Sequence, residues 1–208
     1  ISTDIKEAQA YDSAQVNDRI EKAVNETRGQ VLSYNGELPY SWFHAHAGGI
    51  TELPREALSY DKDNPGYTKV VQSPDSDKAP TNVKNWTATF TAAEVAQAAK
   101  QSGADVGTLS SISLGKKGES GRAVQLLING KEVSAPEFRV AIGSKELKST
   151  LISDVKLENG KVTFTGKGYG HGVGMSQWGA YGMAEEGKTY DQIIAHYFAD
   201  VGVATLWE

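Results

Sequence analysis

The stretch TLISDVKLENGKVTFTGKGYGHGVGMSQWGAYGMA, residues 150–184, reads as three things in succession: a hairpin, a loop and a helix. Alternating apolar residues lie on either side of Asn159-Gly160, a pair that favours the tight turn of a β-hairpin. The chain then enters a run with glycine at 166, 168, 170, 172, 174, 179 and 182. Each glycine weakens an ordinary helix or strand by ~1 kcal/mol relative to alanine, so this density calls for a physical reason. Without Cβ, backbone approaches a neighbour closely and φ turns positive, so Gly170 and Gly172 are expected to offer N–H groups to a bulky ligand.

The functional side chains left in the loop are Tyr169, His171, Ser176, Gln177 and Trp178. Aromatic faces mixed with amide, hydroxyl and imidazole groups suit a sugar, which has apolar ring faces and many hydroxyls. A tight β-to-α corner is the plainer reading of the same glycines. Ser176 serves equally as a helix N-cap, and Tyr169 as a cover over the hairpin. His171 stands between glycines that cannot pack it, so it is expected to be exposed in a groove. No G-K-[ST] closes the loop, and its glycines do not follow the dinucleotide fingerprint.

Working outward, Val16, Ile20, Ala23 and Val24 give helical spacing from about Asn17, with Gly29 as the stop. Residues 30–47 read as a hairpin around Asn35-Gly36. Residues 51–79 are polar and aperiodic, a long surface excursion. A strand at WTATF, a helix over 92–101 capped by Thr91, and strands at 110–115 and 123–128 suggest a smaller α+β lobe over 80–130. Ser134 and Pro136 open a short helix that closes at Gly143. Two helices are expected near the end, over 175–186 and 190–199. The fold class is therefore α/β (α+β), with a mixed β-sheet core, flanking helices and hairpins. In this reading 1–50 and 131–208 make the main domain, with 80–130 inserted.

The 208 residues carry a net charge of -5, and the basic residues are scattered, so no nucleic-acid partner is expected. No apolar run approaches the ~20 residues of a membrane helix, and the first residues lack a signal-peptide pattern. There is no cysteine. His44 and His46, two apart on a strand, face the same side. They are only two local ligands, where a structural zinc site wants four, so no metal or other cofactor is expected and zinc is the lesser reading.

Four blocks in order resemble the stage II sporulation protein D family and the related amidase enhancers. They are NETRGQVLSYNG (25–36), FHAHAGGITE (43–52), EFRVAIGSKELKST (137–150), and GYGHGVGMSQWGA (168–180) with GMAEEGKTYDQIIAHYF (182–198). The resemblance implies a lytic transglycosylase cutting the β-1,4 bond between N-acetylmuramic acid and N-acetylglucosamine in glycan strands stripped of stem peptides. One carboxylic acid would protonate the glycosidic oxygen, then act as base while the muramoyl 6-hydroxyl closes an anhydro ring.

In the family the catalytic glutamate lies on a helix upstream of the TRGQVL block, and no such helix precedes Asn25, so the general acid is expected outside these 208 residues. Within them, His171, Gln177 and Glu52 are the candidate catalytic residues, with Glu7 a further carboxylate to test. His44, His46, Tyr169, Gly170, Gly172, Ser176 and Arg139 are the candidate substrate-binding residues. Some members are similar in binding zinc through a histidine and cysteines, which this chain cannot reproduce. The implied partners are peptidoglycan glycan strands, a cell-wall amidase and a membrane-anchored sporulation complex. The implied location is extracytoplasmic, with an N-terminal anchor outside this sequence. A non-catalytic amidase enhancer or scaffold, and a plain wall carbohydrate-binding module, are the competing functions.

Overall fold

Asn159 and Gly160 both take positive φ, 50° and 72°, and between them turn β7 (Ile152–Glu158) into β8 (Lys161–Lys167). The computed structural model describes residues 12–207. Eight further described strands come before or after this hairpin: β1 (Gln30–Ser33), β2 (Phe43–His44), β3 (Asn85–Thr91), β4 (Ile112–Leu114), β5 (Gln125–Ile128), β6 (Lys131–Ser134), β9 (Met175–Ser176) and β10 (Gly202–Thr205). The helices are α1 (Asp18–Glu26), α2 (Pro54–Leu58), α3 (Thr81–Lys84), α4 (Ala92–Gln101), α5 (Ala135–Ile142), α6 (Gln177–Glu185) and α7 (Tyr190–Tyr197). The fold is mixed α+β.

Local chemistry explains the helix ends. Thr91 and Glu94 form a reciprocal capping box on α4, and Thr189 and Gln192 do the same on α7. Ser134 caps α5, with Pro136 in its first turn. Asn17 caps α1 as the spacing predicts, yet none of that helix is buried, so its apolar stripe lies at the surface.

β8 pairs on one edge with β7 and on the other with β3, running antiparallel to both. This decides the domain boundary. The larger core draws only on residues 86–164, with Trp86, Phe90, Leu126, Phe138, Leu147, Val162 and Phe164 packed together. Each such side chain taken from water contributes ~1.5–3 kcal/mol. The expected lobe of 80–130 is thus not closed by itself, because β3 needs β8 and α5 packs against α4. A second core gathers Tyr67, Met183, Ile193, Tyr197 and Phe198 around Leu32, Tyr34 and Trp42.

Two further expectations give way. The Asn35-Gly36 turn forms, with Tyr34 and Glu37 exchanging both backbone hydrogen bonds, but the strands part beyond it. β1 instead pairs antiparallel with β10, and β2 pairs in parallel with β9. Pro39 has no N–H for a ladder. Residues 51–79 are not a surface excursion. Thr51, Glu52, Ala57, Tyr67, Ser73 and Ala79 are buried, and backbone bonds such as Thr51 N–H to the Val71 carbonyl and Ser73 N–H to the Gly49 carbonyl tie the segment down. Their side chains are small or polar, so burial left no apolar period to read.

Candidate functional site

A cleft of about 630 Å³ opens between α2, α4, α5 and the glycine-rich loop. Its wall is largely apolar, from Ala57, Leu58, Pro136, Val140 and Ala141. Its polar groups are Arg139, Glu137, Thr150, Gln101 and His171. A concave, mainly apolar site with a few convergent polar groups is the usual form of a ligand site.

The glycines bring the loop against other backbone. Gly170 has φ 110°, and a Cβ there would meet the Cβ of His44 at 2.6 Å. Gly172 has φ 90°, and a Cβ there would run into the Arg122 guanidinium. His46 and Tyr169 exchange backbone hydrogen bonds at 3.0 and 2.8 Å. The Gly170 N–H donates to the Lys148 carbonyl, and the Gly172 carbonyl accepts from Glu52 N–H. Gly170 therefore spends its N–H inside the protein rather than offering it to a ligand, which corrects that expectation.

His171 is half-buried at the cleft. Its Nδ1 accepts the Val173 N–H at 3.0 Å, which leaves the proton on Nε2. Burial, with the positive charges of Arg139 and Arg122, lowers its pKa to about 4, so the ring is neutral at pH 7. Arg139 donates from Nε to the Lys148 carbonyl and from a terminal nitrogen to the Ser144 carbonyl, which aims its plane. Burial pulls its pKa down, with Tyr169 acting the other way. Tyr169 is half-buried beneath the Lys148 ammonium, 4.9 Å from the ring centroid. Thr150 is buried, and its Oγ1 has no hydrogen-bond partner.

The histidine strand stands behind this surface. His44 and His46 are only 4% and 5% exposed, so they do not face a ligand directly as expected. His44 donates from Nδ1 to the Val173 carbonyl, and its Nε2 is buried without a partner. Burial holds its pKa well below the usual value, reinforced by the charges of His171 and Arg122. His46 lies 3.4 Å from Asp75, yet its Nδ1 accepts the Gly48 N–H. Burial outweighs the pull of Asp75 and lowers its pKa, so the contact is that of a neutral ring. Asp75 also accepts from Gly49 N–H, Ser73 and Ser176.

Glu52 is 1% exposed, and its carboxylate accepts from Leu53 N–H, Ser120 N–H and the Ser120 hydroxyl. It pins the 118–122 turn, lies outside the cleft lining and has its carboxylate taken up by these bonds, so a structural role replaces the expected catalytic one. Arg122, fully buried, donates to the Ile50 carbonyl at 2.7 Å and to the Ala47 carbonyl. Burial pushes its pKa down to about 10 against the pull of Glu52 and Asp75. Ser176 is buried and caps α6 through the Gly179 N–H. Gln177 is exposed at the start of that helix, outside the cleft. Glu7 lies outside the described residues.

Sequence reasoning passed over Glu137 and Thr150. Glu137 is the one carboxylate among the described residues that line the cleft. A carboxylate in a first helical turn has an ordinary dipole role, so nothing local marked it. No group of three or more His, Cys, Asp or Glu among the described residues converges to hold a metal. No helix among them is long and apolar enough to cross a membrane.

A family described as a domain of unknown function (DUF8618) matches residues 40–174. Stage II sporulation protein D of Bacillus subtilis (strain 168) is 34% identical over 183 residues, 86% of this chain and 49% of that protein. The protein of the same name from Bacillus amyloliquefaciens is 32% identical over 200 residues, 96% of this chain and 55% of that protein. The amidase enhancer of Bacillus subtilis (strain 168) is 29% identical over 234 residues, 91% of this chain and 33% of that protein. The chain thus spans about half the length of its sporulation protein D relatives, and a third of the amidase enhancer.

Proposed function

This chain belongs to the family described as a domain of unknown function (DUF8618), and we propose that it holds peptide-free peptidoglycan glycan for a lytic transglycosylase acting in sporulation, on the wall side of the membrane. The observation that carries the reading is the meeting of Arg139, His171 and Thr150 on one apolar-walled cleft of about 630 Å³. Removing the stem peptide exposes the lactyl carboxylate of N-acetylmuramic acid. A guanidinium recognises such a carboxylate in two-pronged fashion. The neutral His171 imidazole suits sugar hydroxyls and acetamido groups, and the apolar wall suits the ring face. The relatives named stage II sporulation protein D and amidase enhancer support a wall-directed role.

Chain cleavage needs one carboxyl as acid and then as base. Its two sources in this proposal are Glu137, on the cleft, and a glutamate in sequence beyond these 208 residues. The test incubates the chain, and a version extended upstream, with denuded glycan strands, scoring retention on the strands and 1,6-anhydro ends by mass spectrometry. Retention lost in His171→Ala and Arg139→Ala, with anhydro ends made by the extended protein, is the expected result. Anhydro ends made by the unextended chain and abolished by Glu137→Gln would place the acid on α5. Retention without anhydro ends in either version would favour a glycan-binding amidase enhancer, and no retention at all would overturn the reading.

A further inference from the structure

A second cleft, of about 410 Å³, is walled by Tyr34, Tyr40, Tyr60 and Tyr67, with Asn35 and Glu37 also lining it. Tyr40 is 63% exposed, an unusual position for a large ring. It is nonetheless held. Trp42 stacks on it at 5.2 Å with the planes 23° apart, and Trp42 in turn meets Tyr60 edge-on at 5.6 Å. The Tyr67 hydroxyl accepts the Tyr40 N–H at 2.9 Å, and Tyr34 packs edge-on against Tyr67 at 5.1 Å. The rings are thus fixed before any ligand arrives, which lowers the ordering cost of binding.

We infer that this aromatic cleft is a second saccharide subsite, taking an uncharged N-acetylhexosamine unit of the strand whose carboxylate-bearing unit occupies the first cleft. The inference rests on the glycan reading of the first cleft and adds a direction and a length to it. Sugar rings present apolar C–H faces that stack on aromatic rings, and phenol hydroxyls and the Asn35 amide match their polar rims. Charge separates the two clefts. Among the described residues, Glu37 is the one acidic or basic side chain lining the second cleft and offers no partner to a lactyl carboxylate, whereas the first, though it also carries Glu137, has Arg139 to pair with one. The clefts come near each other along the chain. Leu58 lines the first and Tyr60 the second, two residues on, so their Cα atoms are at most ~7.6 Å apart. A linear polymer alternating a charged and an uncharged unit fits such a pair.

The test titrates the full chain, following tryptophan fluorescence, with N-acetylglucosamine oligomers of two to six units and with denuded glycan strands. Tyr40→Ala and Tyr60→Ala are each expected to weaken strand binding ~10-fold. Tyr40→Phe, which keeps the ring, should stay within ~2-fold of wild type. The gain in affinity with oligomer length should vanish in Tyr40→Ala. Strand binding unchanged in Tyr40→Ala but lost in His171→Ala would overturn the second subsite and leave the first cleft's reading intact. Strands ignored by the wild type would overturn both. Tyr40-dependent capture of a proline-rich peptide, with no response to the oligomers, would also overturn it, since such peptides dock on similar rings.

Discussion

The imidazole rings of His44 and His171 lie 5.6 Å apart, centroid to centroid, and one residue's backbone is bonded to both. Val173 gives its N–H to His171 Nδ1 and its carbonyl to the Nδ1–H of His44. The two rings are thereby set in opposite tautomers. His171 carries its proton on Nε2, towards the Phe43 backbone, while His44 Nε2 is a bare, buried acceptor.

Both rings are held neutral, and stability should record this. The unfolded imidazoles take up protons as pH falls below ~6.5, whereas the folded His171 does so only near 4. The unfolded chain therefore binds more protons through that window, and stability falls with pH from ~6.5 to ~4. His171 contributes roughly 2–3 kcal/mol of the loss, with His44 adding in the same direction. Urea unfolding at about pH 7 and about pH 4.5 measures it. In His171→Gln the slope should be visibly flatter, and an unchanged slope would contradict the assignment.

Arg122 joins the two halves of the molecule through charge rather than through apolar packing. It is fully buried, bonded to the Ile50 and Ala47 carbonyls, and its charge is favoured by Glu52 and Asp75. Arg122→Ala leaves those carbonyls and carboxylates uncompensated, so a loss of ~3–5 kcal/mol is expected. Arg122→Lys should recover only part of it, because one ammonium cannot span both carbonyls as the fork does. Equilibrium denaturation of both variants checks the order. Gly172→Ala should mimic Arg122→Ala in direction, since its Cβ enters the guanidinium's space at a positive φ.

Arg139 should confer selectivity rather than bare affinity. Arg139→Ala is expected to weaken denuded strands, which carry lactyl carboxylates, by ~10-fold or more, and uncharged N-acetylglucosamine oligomers far less. The wild-type preference for strands should shrink with added salt. Competition titrations read the ratio directly. Equal losses for both ligands would assign Arg139 to the scaffold.

What the sequence made legible was local. The Asn-Gly turns, the caps at Thr91 and Ser134, and the hairpin feeding the glycine-rich loop all follow from neighbours in the chain. Pairings between distant segments were not legible. Nothing in QVLS points to GVAT as its partner, nor in WTATF to β8, because ladder hydrogen bonds carry no residue code. The boundary of the inserted unit was lost for that reason. At the site, flanking glycines marked His171, but Thr150 is an ordinary residue until its burial is seen. Glu52 drew notice by its nearness to the histidines, and its saturation by Ser120 could not be foreseen 68 residues away.

Thr150 separates stability from binding most sharply. The residue lines the cleft while its Oγ1 is buried with no partner in the protein, and an unsatisfied buried hydroxyl costs ~1–3 kcal/mol. Thr150→Val removes that group while keeping the branch, so the folded state should gain ~1 kcal/mol, or ~2–4 °C in Tm for a chain of this size. If the hydroxyl is retained because a sugar completes it, the same variant should bind denuded strands ~10-fold more weakly. Thr150→Ser keeps the hydroxyl and loses a methyl, so the signs reverse: lower stability, affinity near wild type. Calorimetric melts and strand titrations on the two variants give four numbers. Opposite ordering of stability and affinity supports a ligand role for the hydroxyl. Unchanged affinity in Thr150→Val would remove Thr150 from the site and leave Arg139 and His171 as its polar groups.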